Sequence, residues 1–125
     1  MRYLDKRHIL LLHKQLIDIS GGSYEVRDDA LLESALNAPF QSFDGTDLYP
    51  TVLQKAVRLG FGLIRNHPFV DGNKRIGTHA MLIFLDINNI SLKYNDDELI
   101  EIILKIASST ADEQQLLQWV QEHIE

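Results

Sequence analysis

The segment Asn66–Asn88 reads NHPFVDGNKRIGTHAMLIFLDIN and falls into two halves. His67-Pro68-Phe69-Val70-Asp71-Gly72-Asn73-Lys74-Arg75 is a short loop carrying a base, a carboxylate, an amide and two cations. Ile76 to Ile87 is almost wholly apolar, leaves no broad polar face, and predicts a helix buried on most sides. A polar loop feeding a buried helix suits a phosphate: the first-turn N–H groups lack intrahelical partners and the helix dipole is positive at that end. Gly72 lets backbone approach a ligand closely. His67 is the side chain here that takes a proton near neutral pH, hence the candidate general base. Asp71 is a hard oxygen ligand suited to Mg²⁺. Arg75 can hold a phosphate bidentately, and Lys74 adds a point charge. Asn73 can donate to an oxyanion or fix the loop. These are the parts that phosphoryl or nucleotidyl transfer needs, in-line positioning and charge neutralisation. Taken singly, each residue has a plainer reading: a helix-ending His, an Asp-Gly turn, a solvated Lys-Arg pair. Their combination directly before a buried helix argues for a site.

Outward from that segment, composition bounds the rest. A chain of 125 residues makes one domain, residues 1–125, with enough chain for a single core. Hydrophobic content of 45% and charged content of 24% are ordinary for a globular protein. Twelve Lys plus Arg against 18 Asp plus Glu give a net charge of −6, which argues against broad non-specific nucleic-acid binding. With no cysteine there is no disulfide and no thiolate zinc site, compatible with a reducing compartment. No signal pattern opens the chain, and the apolar stretch near residue 80 is too short and interrupted to span a membrane. A cytoplasmic protein is expected.

Before the loop, Asp5 is a plausible N-cap for a helix to about Ser20, with Gly21-Gly22 stopping it. His8 and His13 lie five apart, a poor spacing for shared metal ligation, and read as surface or boundary residues. A second helix is expected from Asp29 to about Asn37, opened by Asp28 or Arg27. In FQSFDGTDLY, Phe40–Tyr49, the Asp44-Gly45 pair signals either a hairpin turn or a surface loop. Pro50 suits a first helical position, and Thr51–Asn66 reads as the helix that delivers His67. Gly60 and Gly62 within it permit close packing.

After the loop, His79 lies one turn past Arg75 and reads as a hydrogen-bonded core histidine. Ile90–Tyr94 alternates as an extended stretch would. Asn95 with Glu98 caps a helix to about Ala107, and Thr110 with Glu113 forms a capping box for the last helix. The fold expected is all-α, roughly five or six helices around the buried central one.

The loop residues resemble a known family. His67 to Arg75 is similar to the Fic motif, HPFx[DE]GNxR, matching at His, Pro, Phe, Asp, Gly, Asn and Arg. It resembles more closely the Doc (death-on-curing) branch. Lys74 stands where adenylylating Fic enzymes have a glycine, and Thr78 where they have a second arginine. The chain's length and its layout of helices also look Doc-like. The resemblance implies that His67 deprotonates a target hydroxyl, that Asp71 holds Mg²⁺, and that Gly72, Asn73, Lys74 and Arg75 bind the phosphates of ATP. It implies a toxin that transfers the γ-phosphate of ATP to a threonine of elongation factor Tu, arresting translation. It also implies a Phd-like antitoxin partner and a β-flap at 40–49 that pins the target by strand addition. Some Fic proteins carry an inhibitory glutamate in an [ST]xxxE[GN] helix. Ser109 and Glu113 have that spacing, but Gln114 follows and the capping box accounts for Glu113 better, so control is expected in trans. Two other readings fit the residues: an adenylyltransferase acting on a protein hydroxyl, which Lys74 and Thr78 disfavour, and a non-catalytic binding module that keeps the fold.

Overall fold

The structure, a computed structural model, describes all 125 residues. Every α-helix except the buried central one starts where a side chain can replace a missing intrahelical acceptor. Helix α1 (Lys6–Ser20) is capped by Asp5, whose carboxylate accepts from the His8 N–H; that bond holds the Asp5 carboxyl below its ordinary value of 3.8. Asp28 caps α2 (Asp29–Asn37), and a 3₁₀ turn (Ala38–Phe40) follows. Strands β1 (Ser42–Phe43) and β2 (Thr46–Asp47) pair antiparallel, Ser42 opposite Asp47 and Phe43 opposite Thr46. Asp44 and Gly45 both have positive φ, 52° and 78°, as the tight hairpin turn requires. The hairpin reading of 40–49 therefore holds over the surface-loop reading.

Helix α3 (Val52–Asn66) does not begin at Pro50. Thr51 is extended, at φ −97° and ψ 160°, and forms a capping box with Gln54, which leaves Pro50 outside the helix. Helix α4 (Asn73–Ile87) is the buried central helix, and it already begins inside the polar loop. It meets α3 where both backbones are bare. A methyl group at Gly77 would sit 2.5 Å from Ile64 Cγ1 and 2.9 Å from the Gly60 carbonyl; one at Gly60 would sit 2.9 Å from Met81 Cβ. Glycine at both positions is what lets the helix bearing His67 at its end lie against the helix bearing the anion loop at its start.

Asn95 and Glu98 cap α5 (Asp96–Ala107) as expected. Helix α6 (Glu113–Glu122) is capped differently: Asp112 and Gln115, not Thr110 and Glu113, form the box. Asp112 is the residue with extended dihedrals, φ −104° and ψ −178°, so its carboxylate, not the Thr110 hydroxyl, meets the free N–H groups. Glu113 turns to α3, where its carboxylate accepts from Arg58 Nη1 at 2.8 Å. Residues 90–94 are extended: Leu92 pairs with Ile124, and Lys93 N–H donates to the His123 carbonyl at 2.7 Å. The core runs through all six helices, with Ile9, Leu32, Leu63, Ile76, Phe84, Ile106 and Leu116 fully enclosed. No helix is long and apolar enough to cross a membrane. The fold is all-α with one small β-hairpin.

Candidate functional site

The loop between α3 and α4 is held from two sides. On one side the segment before α2 pairs with it: Val26 bridges Phe69, Arg27 and Asp28 N–H both reach the Pro68 carbonyl, and Val70 N–H donates to Glu25. Arg27 adds its guanidinium, Nε to the His67 carbonyl at 2.7 Å and Nη2 to the Asn66 carbonyl at 3.1 Å. These bonds take up carbonyls left over at the end of α3. They also hold His67 in the left-handed region, φ 52°, a conformation that costs a non-glycine residue on the order of 1 kcal/mol.

On the other side lies α1. His13 is 1% exposed and stacks on Phe69, ring centroids 3.7 Å apart at 11°. Its Nε2–H donates to the Asp71 carbonyl at 2.7 Å. The expectation of a surface or boundary residue fails because Ile9, His13 and Ile17 recur every fourth residue on the buried face of α1.

Asn73, 5% exposed, is the inner pin of the loop. The Phe69 N–H donates to its Oδ1 at 2.9 Å, and its Nδ2 donates to the Phe69 carbonyl at 2.9 Å. The second Nδ2 proton points at His67 Nδ1, 3.0 Å away. Because Phe69 fixes the orientation of this amide, His67 Nδ1 is an acceptor, and the neutral ring carries its proton on Nε2. Of the two roles open to Asn73, its side chain fills that of fixing the loop.

All six residues read from the sequence, His67, Asp71, Gly72, Asn73, Lys74 and Arg75, line one cavity of about 350 Å³, closed by Ile64, Val70 and Ala107. The start of α4 faces it without a side-chain cap. The N–H groups of Gly72, Asn73, Lys74 and Arg75 have no partner within the protein. Gly72 itself has φ 81°, and a methyl there would meet Ile17 Cδ1 at 3.2 Å and His13 Nε2 at 3.4 Å. Unpaired amides beside Lys74 and Arg75 give the cavity the donors and the positive charge that an anion site needs.

Asp71 is exposed, and its Oδ2 accepts the Ser23 N–H at 2.7 Å. Gly22 makes room for that contact; at φ 117°, a methyl there would meet the Asp71 carboxylate at 3.1 Å. Oδ1 has no protein partner. No group of three or more His, Asp or Glu side chains gathers that could hold a metal without help. The free Oδ1 of Asp71 at the cavity is a hard oxygen donor of the kind that fits Mg²⁺, a cation that takes one or two carboxylates and completes its shell with phosphate oxygens and water. Arg75 contacts Ser20 Oγ at the end of α1, and the Thr78 hydroxyl donates to the Lys74 carbonyl at 2.7 Å.

His79 is not a core histidine. It is exposed, on the face of α4 shared with Arg75, Leu82 and Asp86, and it borders a second cavity between α4 and α5. Burial of α4 is strong but not complete on that face. Glu113, bound to Arg58, is not paired with Arg75. Arg27, Ser23 and the loop-holding part played by His13 emerge only from the fold. The one available signal was His13, a polar residue in register with the apolar face of α1.

Comparison with known proteins bears on this geometry. The model of the Fic/DOC family matches residues 3–85, which include α1, the loop and most of α4. Toxin Doc of Mycolicibacterium smegmatis (strain ATCC 700084 / mc(2)155) is 35% identical over 112 residues, covering 88% of this chain and 84% of the relative. An intact motif, a loop held in a defined shape and a match over most of the chain lead to one conclusion: the protein belongs to the Fic/DOC family.

Proposed function

We propose that this protein is the toxin of a toxin–antitoxin pair and that it transfers the γ-phosphate of ATP to a hydroxyl of a protein substrate. The family is one of transferases acting on proteins, and the relative's name, Toxin Doc, supports the toxin reading. One observation carries the choice of phosphate. Lys74 lines the anion cavity within an otherwise intact motif, at the position where adenylylating relatives have glycine. Thr78, where those relatives carry a second arginine, turns its hydroxyl back onto its own helix and offers the cavity no charge. In this reading the long cation at Lys74 takes the place of the glycine that admits the nucleotide phosphates in the adenylylating orientation, and it favours the reverse orientation, with the γ-phosphate at the helix start.

In this reading the amides of Gly72 to Arg75 and the two cations hold the phosphates. Asp71 would hold Mg²⁺, which supplies charge neutralisation when bound. His67 takes the proton of the attacking hydroxyl on Nε2, and for this its ring needs the proton on Nδ1. The contact with Asn73 places the resting proton on Nε2, so the reactive form requires that contact to break and the proton to pass to Nδ1. The hydroxyl oxygen bonds to the γ-phosphorus, the bond to the β–γ bridging oxygen breaks, and ADP leaves. The hairpin offers its free edge to the substrate chain, and the expected substrate is elongation factor Tu. A Phd-like antitoxin segment covers the site in trans.

A paired transfer assay tests this. The protein, Mg²⁺ and a bacterial lysate are incubated with ATP labelled at the γ- or the α-phosphate, beside a His67→Ala control. A γ-labelled band absent from the control is expected. An α-labelled band would establish adenylylation instead, and an unchanged γ-band in the variant would remove His67 from the chemistry.

A further inference from the structure

We infer that His13, a residue of α1 outside the motif, is a positioning residue that shapes the anion site by holding the Asp71–Gly72 peptide in one orientation. The inference rests on the phosphate-binding reading given above. The carbonyl of Asp71 can only accept, so the 2.7 Å contact is a donation from His13 Nε2–H. In a trans peptide the carbonyl and the following N–H point in opposite directions, and the chain has no cis bond. Fixing the Asp71 carbonyl toward α1 therefore aims the Gly72 N–H away from α1. Gly72, Asn73, Lys74 and Arg75 border the cavity, and no residue of α1 lines it. The Gly72 N–H has no protein partner, so the peptide plane is free to serve a ligand. Glycine at 72 makes a flip of this plane cheap in steric terms. A specific bond is needed to prevent it, and the ring is placed to make one. His13 is enclosed, stacked on Phe69 and packed within reach of Gly72, where a methyl group would meet its Nε2 at 3.4 Å.

Two functions of the ring can be separated by substitution. His13→Phe keeps an aromatic stacked on Phe69 but has no donor. His13→Gln has a donor of similar reach but loses the stacking. Each variant and the wild type are titrated with ATP and with inorganic phosphate by calorimetry, and thermal unfolding is measured alongside. The stability order is expected to place Phe above Gln, because the enclosed ring packs. The binding order is expected to be the reverse, with His13→Phe weakened about tenfold for both ligands and His13→Gln recovering most of that loss. A merely structural role moves stability and binding in the same order, and that result would overturn the inference. So would a His13→Phe variant that binds as tightly as wild type. If wild-type protein binds neither ATP nor phosphate, the proposed function fails and takes the inference with it.

Discussion

Asn73 presents one amide proton to Nδ1 of His67, 3.0 Å away, because Phe69 has already engaged the rest of that amide. The resting ring is thereby set with its proton on Nε2. We expect nitrogen-15 NMR of histidine-labelled protein to show the Nε2–H tautomer for neutral His67. In Asn73→Ala the two tautomers should mix, and stability should fall by about 1–3 kcal/mol, since the Phe69 amide and carbonyl lose their partners. A ring found with its proton on Nδ1 in the wild type would show that the amide faces the other way.

The ammonium of Lys55 sits at the root of the hairpin. It is 4% exposed and donates to the Tyr49 carbonyl at 2.6 Å and the Pro39 carbonyl at 3.2 Å, with Asp47 Oδ2 at 3.7 Å and the Phe40 ring beneath it. One side chain on α3 thus ties both stems of the flap. Lys55→Met keeps the stem and removes the donor. We expect a loss of about 1–3 kcal/mol in urea unfolding. Hydrogen exchange should also quicken at Leu48, whose N–H closes the hairpin onto Gln41. Exchange unchanged across 41–48 would mean that the hairpin holds itself.

Arg58 and Glu113 tie α3 to α6 at 2.8 Å, each side chain a quarter exposed, with Arg58 Nε buried and unpaired. A glutamate engaged there has a structural task. Glu113→Gln is expected to lower stability by about 1 kcal/mol, a figure kept small because solvent screens the pair, and to leave ATP affinity and transfer unchanged. An inhibitory glutamate would behave oppositely, and a rise in transfer on substitution would assign Glu113 that role. Thermal unfolding and the transfer assay, run on the same sample, separate the two.

Much of the site was legible from residues 66–88 alone. Nine adjacent positions carried a base, a carboxylate, glycine and cations, and a loop that short cannot scatter them. The cavity accordingly gathers every one of them. Expectations failed where the choice rests on local dihedrals or on which helix face is covered. Thr110 and Asp112 are both reasonable caps, and only the local dihedrals chose Asp112. His79 and His13 both lie on largely apolar helices, yet one is exposed and the other enclosed, because α4 leaves one face uncovered while α1 turns His13 onto Phe69.

Local interactions are what the amino-acid order determined by itself: helix periods, caps such as Asp5 and Asn95, the Asp44-Gly45 turn, and the proximity of the motif residues. These depend on neighbours within a few positions, so they can be read along the chain. Tertiary structure alone decided what holds those residues in shape. His13 is 58 positions from Asp71, Ser23 is 48 from it, and Arg27 is 40 from His67. Contacts across such separations are set by which helix faces pack together, and backbone carbonyls, the acceptors in two of these three bonds, carry no residue-specific signal in the sequence.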